Sequence, residues 1–200
     1  MIIGVTGNYC SGKDAVAAIL QGKNFYHVSF SDLLRNELTT RKQKITRDKL
    51  IELGNHLRTK QGASVLSKLA LQEIKDGENH VFTSIRNPSE VEHLTQREDF
   101  ILVNVTAPES VRLKRIIQRN REEDPKTLKE LREKESIENS NDSNSQQLQR
   151  VIDMAKITIV NDSTLEKLTE KVHKLVRDQL YKLQDSRPNW DTYFMNIAEA

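Results

Sequence analysis

Two glycines and a lysine at fixed spacing near the amino terminus are the strongest candidate for chemistry in this sequence. Four residues separate Gly7 from Gly12, and Lys13 follows directly. Glycines let several backbone N–H groups point towards one anion, and a lysine here can reach the outer phosphates of a nucleoside triphosphate. An ordinary glycine-rich turn would have the same composition, but a position between an apolar run and a helical pattern favours a phosphate-binding loop. The predicted nucleotide-binding residues are Gly7, Asn8, Tyr9, Cys10, Ser11, Gly12, Lys13, Asp14 and Ala15.

The residue after Lys13 departs from the usual pattern of such loops. Serine or threonine normally supplies a hydroxyl ligand to Mg²⁺ at this place, whereas this sequence has Asp14, whose carboxylate could bind the metal or repel phosphate. The third predicted strand ends in residues 83–85 and lacks the carboxylate that usually organises Mg²⁺ and its waters. Cys10, near a helix N-terminus, either has a lowered thiol pKa or is simply a tolerated small residue. Nucleotide binding is therefore predicted, while phosphotransfer depends on how Mg²⁺ is held.

Alternating strand and helix patterns must position this loop. Short apolar runs predict five strands, at residues 2–6, 25–29, 80–85, 100–106 and 156–160. Helical patterns lie between and after them, at residues 33–38, 46–60, 63–76 and 88–96, from 108 onwards, and at 163–183. This alternation predicts an α/β P-loop fold: a five-stranded parallel sheet with helices on both faces and the ligand at the carboxyl ends of the strands. Residues 122–145 have few apolar anchors, which predicts a mobile flap or a helix that stands off the core.

The composition excludes several other classes of function. With 31 basic and 29 acidic residues the net charge is +2, so no overall field favours nucleic acid or an anionic membrane. One cysteine permits no disulfide within the chain, and the five histidines form no zinc-binding pattern. We expect a cytoplasmic protein that binds ATP and Mg²⁺ but no zinc, no nucleic acid and no membrane.

The stretch HVSFSDLLR, residues 27–35, resembles the part of adenylate kinases that runs from the second strand into the acceptor-binding helix. The resemblance implies a nucleoside monophosphate kinase-like fold, and it makes Asp32, Arg35 and Arg86 candidate substrate-binding residues. Arg35 and Arg86 match the two arginines that hold the acceptor monophosphate in that family. By family position Asp32 is also the nearest substitute for the missing carboxylate, so Asp14 and Asp32 are the candidate Mg²⁺ ligands. Without the resemblance, each arginine is a common exposed residue.

A cluster of arginines from residue 112 to residue 121, followed by acidic residues, resembles the helical lid of nucleoside monophosphate kinases. Arginines of that lid stabilise the phosphoryl group in transfer, and this role would fall to Arg115 and Arg119, beside Lys13. A solvated helix with internal ion pairs would show the same spacing. Asn161, after the last strand, resembles the loop that contacts adenine in dephospho-CoA kinases, or else it belongs to a turn before a capped helix.

The last residues of the chain differ in sequence character from the predicted α/β domain before them. Residues 185–200 contain the single tryptophan and resemble the opening of the deaminase domain in deoxycytidylate (dCMP) deaminases, and segments 84–88 and 160–162 resemble the P-loop domain that precedes it. The resemblance implies a P-loop domain over residues 1–184 and a fused or associated deaminase domain, whose zinc-binding motifs do not occur here. A surface tail that buries its aromatic residues is the alternative.

Two functions follow from these observations. In the first, the chain transfers the γ-phosphoryl group of ATP to a small phosphorylated acceptor. In the second, it is a nucleotide-binding regulatory module of a dCMP deaminase, without deaminase chemistry of its own. Acceptor-dependent turnover distinguishes the two functions.

Overall fold

Five parallel strands form a single sheet in the computed structural model, which describes residues 1–120, 124–139 and 142–185. The strands are β1 (Ile2–Thr6), β2 (Phe25–Ser29), β3 (Asn79–Thr83), β4 (Phe100–Thr106) and β5 (Ile157–Val160). Their order in the sheet is β2-β3-β1-β4-β5, so β1 lies in the centre with β3 and β4 on its two sides. The loop that follows β1 therefore lies at the middle of the carboxyl edge, where ligands bind in sheets of this kind.

Helices cover both faces of the sheet, as the sequence predicts. They are α1 (Lys13–Gln21), α2 (Phe30–Thr40), α3 (Arg47–Gln61), α4 (Val65–Gln72), α5 (Pro88–Leu94), α6 (Glu109–Arg119), α7 (Leu128–Ser136), α8 (Leu148–Asp153) and α9 (Leu165–Asp185). Side chains alternate along β1, so Ile2 joins a core with α2 to α5 and α8, while Ile3 joins a core with α1 and α9. Within the described ranges, no helix combines the length and apolarity needed to span a membrane.

Local signals fix most element boundaries. Thr46 caps α3 by accepting the amide hydrogen of Lys49 at 3.3 Å, and Asn87 with Glu90 forms the predicted capping box of α5. The third strand ends at Thr83, earlier than predicted, because Ser84 has a φ of 63° and turns the chain out of the sheet. The helix α8 has no counterpart in the sequence-based prediction, which assigned no element to those residues.

The helix α7 corrects the prediction for residues 122–145. Its one strong apolar anchor, Leu131, is fully buried, and α7 packs against α6. Glu138, just beyond the end of α7, is also buried. A helix that stands off the core is therefore the wrong description of the part of this segment that the structure describes. One leucine and several ion pairs suffice to hold α7 in place.

Candidate functional site

The loop between β1 and α1 has the tight conformation that its glycines predict. Gly7 and Gly12 have φ values of 139° and 104°, in the left-handed region that glycine adopts without steric cost. A Cβ atom on Gly7 would lie 2.1 Å from the carbonyl oxygen of Val105, and one on Gly12 would lie 2.0 Å from Nδ2 of Asn161. The loop is thus pressed against its neighbours, with no room for side chains at either glycine.

Several amide groups of this loop point to a bound anion. Among the described residues, the N–H groups of Cys10, Gly12 and Lys13 have no hydrogen-bond acceptor. All three lie at the N-terminus of α1, where the helix dipole adds partial positive charge. Unpaired donors at a helix N-terminus form a ready site for phosphate oxygens. This is the arrangement that the sequence predicts for residues 7 to 15.

Lys13 adds a positive charge beneath the loop. Its ammonium group donates hydrogen bonds to the carbonyl oxygens of Gly7 at 2.6 Å and Asn8 at 2.7 Å. Burial, and then the nearby charge of Arg86, lowers the pKa of Lys13 from 10.5 to about 8. Burial also raises the pKa of the Cys10 thiol, so the lowered pKa considered from the sequence is wrong: desolvation outweighs the helix N-terminus and the nearby cations.

Asn161 and Arg115 lie together against the carbonyl side of the loop. Asn161 is buried and donates from Nδ2 to the carbonyl oxygen of Ser11 at 2.8 Å. Arg115 donates to the backbone oxygen of Asn161 at 2.9 Å and to that of Ser11 at 3.3 Å. Both side chains therefore fix the position of the loop. The structure brings together one residue predicted to contact the base and one predicted to act in the lid.

Arg119 lies beside Tyr9 of the loop. Its guanidinium group is 5.1 Å from the centre of the Tyr9 ring and donates to the tyrosine hydroxyl at 2.6 Å. Arg119 also donates to both carboxylate oxygens of Asp124, at 2.7 and 2.9 Å, and this bond raises the pKa of Arg119. The charge of Arg119 is thus neutralised in this conformation. The remaining residues of the predicted lid, 121–123, lie outside the described residues.

Two carboxylates from the end of α7 reach the site, and sequence analysis assigned no role to either. Glu135 accepts the amide hydrogen of Tyr9 at 3.2 Å and pairs with Arg112. Glu138 accepts from Arg47 at 2.6 Å and from Arg86 at 2.5 Å. Their spacing of three residues could have indicated that both face the same side of the chain, but not what they face.

The predicted acceptor residues Arg35 and Arg86 have different carboxylate partners, although Ser31, which accepts from Arg35, is hydrogen-bonded to Ser84 near Arg86 at 3.2 Å. Arg35 donates to Asp32 at 2.5 Å and to the hydroxyl of Ser31 at 2.9 Å, and both charged side chains are about half exposed, at 45% and 57%. Arg86 follows β3 and shares its carboxylate partner with Arg47 rather than with Arg35. Glu138 thus links Arg86 to Arg47, a residue to which the sequence analysis assigned no role.

The candidate Mg²⁺ ligands provide oxygen donors of the kind that this ion prefers. Asp14 is exposed in the first turn of α1, directly after Lys13, and Asp32 is paired with Arg35. Within the described ranges, no group of three or more His, Cys, Asp or Glu side chains could hold a metal. Mg²⁺ fits this set only if nucleotide phosphates supply further ligands, which is its usual mode of binding in phosphotransferases.

The space between the loop and Glu138 is small. A cavity lined by Thr6, Lys13, Arg86 and Glu138, among others, measures about 10 Å³. That volume holds about one water molecule. An anion can enter this place only after Glu138 moves.

Comparisons with known proteins identify relatives of the chain and structures with a similar fold. Relatives over most of the chain include UPF0200 proteins from Sulfurisphaera tokodaii (28% identical over 178 residues, 88% of this chain and 96% of the relative) and from Thermococcus kodakarensis (28% over 190 residues, 92% and 100%). Similar solved structures are TT1252 from Thermus thermophilus (TM-score 0.58, 19% identity, 89% and 97% of the two chains) and a gluconokinase from Sinorhizobium meliloti (0.55, 16%, 92% and 97%).

A shikimate kinase from Aquifex aeolicus has the same architecture, with a TM-score of 0.50 at 15% identity over 90% of this chain and 99% of that one. At such identities the structures establish the fold, a P-loop kinase-like α/β domain. A family model, AAA_18, described as "AAA domain", matches residues 3–141. This match covers more than half of the sequence and includes the whole phosphate-binding loop. The chain therefore belongs to the AAA_18 family of AAA domains.

Proposed function

We propose that this protein is a nucleoside monophosphate kinase-like enzyme of nucleotide metabolism, which transfers the γ-phosphoryl group of ATP to a small phosphorylated acceptor in the cytoplasm. One observation carries the proposal: the amide groups of Cys10, Gly12 and Lys13 have no acceptor among the described residues, and the Lys13 ammonium lies beneath them. Phosphate oxygens of a nucleotide satisfy these donors at little cost in reorganisation, because the glycines already fix the loop.

The other residues of the site have roles in positioning and charge. Transfer of a phosphoryl group needs little covalent chemistry from the protein, so alignment and charge stabilisation account for most of the acceleration. Lys13 binds the outer phosphates of ATP, and Arg115 holds the loop that carries them. Arg119 contributes positive charge to the transferring group once it exchanges Asp124 for phosphate. Asn161 lies at the edge of the loop, where the base of the nucleotide is proposed to bind.

The acceptor is proposed to bind between α2 and the loop that follows β3. Arg86 and Arg35 supply the positive charge for its phosphate, and Asp32 lies in the same turn of α2 as Arg35. Asp14 and Asp32 would hold Mg²⁺, which neutralises charge on the outer phosphates of the nucleotide when it is bound.

Acceptor-dependent turnover tests the proposal directly. The purified chain is incubated with ATP, Mg²⁺ and a panel of nucleoside monophosphates that includes dCMP and dTMP, and ADP release is measured. We expect release that depends on at least one acceptor and is lost in Lys13→Ala. Turnover no faster than that of Lys13→Ala across the whole panel would contradict an enzymatic role.

A second candidate is a regulatory nucleotide-binding module associated with a dCMP deaminase. Asp14 replaces the usual hydroxyl, and the described residues at the end of β3 include no carboxylate, which favours binding without transfer. The link to a deaminase rests on the resemblance of residues 185–200, of which residues 186–200 lie outside the described part of the chain. This candidate predicts that ATP or a deoxynucleotide raises the melting temperature while turnover stays negligible.

A further inference from the structure

A cleft separates the phosphate-binding loop from residues 135–138. Glu138 is the least exposed of the carboxylates that pair with arginines around it. Its side chain is 3% exposed, and its partners Arg47 and Arg86 are 30% and 29% exposed. Both arginines donate to the same oxygen, Oε1, at 2.6 and 2.5 Å. Arg86 also donates to the side-chain oxygen of Gln146 at 3.1 Å, and Arg47 lies 5.5 Å from the centre of the Tyr9 ring. Each guanidinium group nevertheless binds Glu138 through one shared oxygen, although it can bind two oxygens side by side.

The surroundings of this carboxylate carry an excess of positive charge. Lys13 lies close enough to Glu138 and Arg86 for both charges to affect its pKa. Glu138 thus lies among three positive groups, Lys13, Arg47 and Arg86, and Asp14 is the other carboxylate close enough to Lys13 to affect its pKa. In addition, Thr6 lines the same cavity, is 1% exposed, and its hydroxyl has no hydrogen-bond partner in the described structure. An unpaired, buried hydroxyl in a cavity that Arg86 and Lys13 also line indicates a place for an anion with more oxygens than a carboxylate, and Arg47 reaches the same place through its bond to Glu138.

We propose that Glu138 occupies a phosphoryl-binding subsite formed by Arg47, Arg86 and Thr6, and that the phosphate of the acceptor displaces it. This inference rests on the proposed function and adds Arg47 to the acceptor site. A phosphate monoester offers three outer oxygens, so each guanidinium group can bind its own oxygen and the hydroxyl of Thr6 can donate to a third.

Displacement of Glu138 also connects the acceptor to the nucleotide loop. Glu135 lies one turn earlier, and it holds the amide of Tyr9 and the guanidinium of Arg112. When the acceptor drives Glu138 away, the end of α7 moves and Glu135 leaves the amide of Tyr9. That N–H group then joins the unpaired donors of the loop. Binding of the acceptor thereby prepares the loop for the phosphates of ATP.

A buried ion pair elsewhere in the fold shows what a purely structural pair looks like. Arg58 and Glu90 are 3% and 0% exposed, and Arg58 donates to Oε1 of Glu90 through both Nε and Nη2. The other oxygen of Glu90 accepts the amide hydrogens of Arg86 and Asn87. Each oxygen of Glu90 thus has its own partners, whereas both arginines bind the same oxygen of Glu138.

Calorimetric titration with inorganic phosphate tests the subsite. The full chain is first saturated with a non-hydrolysable ATP analogue and then titrated at constant ionic strength. Glu138→Gln removes the negative charge that competes with phosphate for Arg47 and Arg86. We therefore expect the affinity for phosphate to rise by at least about tenfold. The matched control Glu133→Gln, in the helix α7 that precedes Glu138 but 64% exposed, should leave the affinity unchanged. Adding Arg47→Gln to Glu138→Gln should abolish the gain.

Unchanged or weaker phosphate binding in Glu138→Gln would overturn the proposal. An equal gain for acetate would overturn the assignment to a phosphoryl group. Should Glu138→Gln fold poorly, Glu138→Asp provides the second test: its shorter carboxylate cannot bridge both arginines, and a smaller gain in phosphate affinity is expected. No gain in this variant would likewise overturn the proposal.

The same titration distinguishes failure of the subsite from failure of the proposed function. In the Lys13→Ala background without nucleotide, phosphate should still bind more tightly when Glu138 is replaced by Gln, because the subsite is built from other residues. If the wild-type chain does not bind the ATP analogue, the proposed function fails, while this second titration still reports on the subsite alone.

Discussion

Polar groups are unpaired on one side of the cleft and paired on the other. On the side of the loop, the backbone N–H groups of Cys10, Gly12 and Lys13 have no acceptor among the described residues, and the glycines hold them in place. On the opposite side, charged side chains of the described residues are paired with one another, as in Arg112 with Glu135 and Arg119 with Asp124. The loop can therefore bind phosphate as it stands, whereas the charged side chains must exchange partners before they can bind it.

The energetic consequences of the two arrangements also differ. A fixed set of unpaired donors needs little reorganisation when an anion arrives, which is why such donors stabilise charge effectively. Each ion pair that must open costs a modest amount when it is partly exposed and more when it is buried. We therefore expect substitutions in the loop to have large effects and substitutions in the charged pairs to have small ones.

The largest effect is expected for Gly7→Ala. Its Cβ would lie 2.1 Å from the Val105 carbonyl oxygen at a φ of 139°, so the loop must distort, at a cost of about 3 kcal/mol or more. The free energy of unfolding in urea measures this loss. Gly22→Ala is the matched control, because Gly22 has a φ of −63°, and we expect a change below about 1 kcal/mol. Equal losses in both variants would contradict a loop that is fixed by its glycines.

The next largest effect is expected from pH. Lys13 is fully charged well below its pKa of about 8, so nucleotide affinity should be constant there. Above that value binding must restore the proton, and affinity should fall by about tenfold per pH unit until the pKa of the bound state is reached. Titration of an ATP analogue from pH 7 to pH 10 measures this slope. Lys13→Arg, which keeps its charge, should show no such slope, and a parallel decline in both proteins would refute the role of Lys13.

The same group has the opposite effect on the stability of the free protein. Between about pH 8 and 10.5 the unfolded chain keeps the Lys13 proton that the folded chain releases. The contribution of this group to the free energy of unfolding must therefore rise with pH in that window. The difference between wild type and Lys13→Arg in urea denaturation isolates this contribution, and a decrease with pH would contradict the burial of the ammonium group.

A smaller effect is expected for Asp124→Asn. The substitution removes the charge that neutralises Arg119, so ATP affinity should rise by about two- to fivefold, in line with the worth of a partly exposed pair. Glu109→Gln breaks an exposed pair with Arg132 away from the loop and should leave affinity unchanged. Binding of a fluorescent ATP analogue measures both variants. A loss of affinity in Asp124→Asn would show that Asp124 supports the site rather than restraining it.

Sequence predicts the loop well because its determinants are local. The strand, the glycine spacing and the start of α1 occupy about a dozen consecutive residues, and the capping box of α5 lies within four. The truncated end of β3 could not be predicted, since nothing near Ser84 signals its positive φ. Local signals therefore give the scaffold and the main anion site.

The other side of the cleft could not be predicted, because its contacts join distant parts of the chain. Glu138 meets Arg47 across 91 positions, and Asn161 meets Ser11 across 150. A segment rich in charge with one strong apolar anchor, Leu131, resembles a solvated helix. Only the folded structure shows that its charges are paired around the site. Arg35, chosen by resemblance, is paired with Asp32 at a half-exposed position, whereas the glycines chosen by local pattern have the conformation that the loop requires.

Thermal denaturation with and without Mg²⁺ and ATP measures whether the loop binds the nucleotide. At a concentration 100 times the dissociation constant, ATP should stabilise the wild-type chain by about 2.7 kcal/mol, which is a rise in Tm of roughly 5–10 °C for a chain of this size. Lys13→Ala should lose most of this rise, while Lys23→Ala, an exposed lysine at the other end of α1, should keep it. No rise in the wild type at millimolar ATP, or an equal rise in Lys13→Ala, would contradict the account.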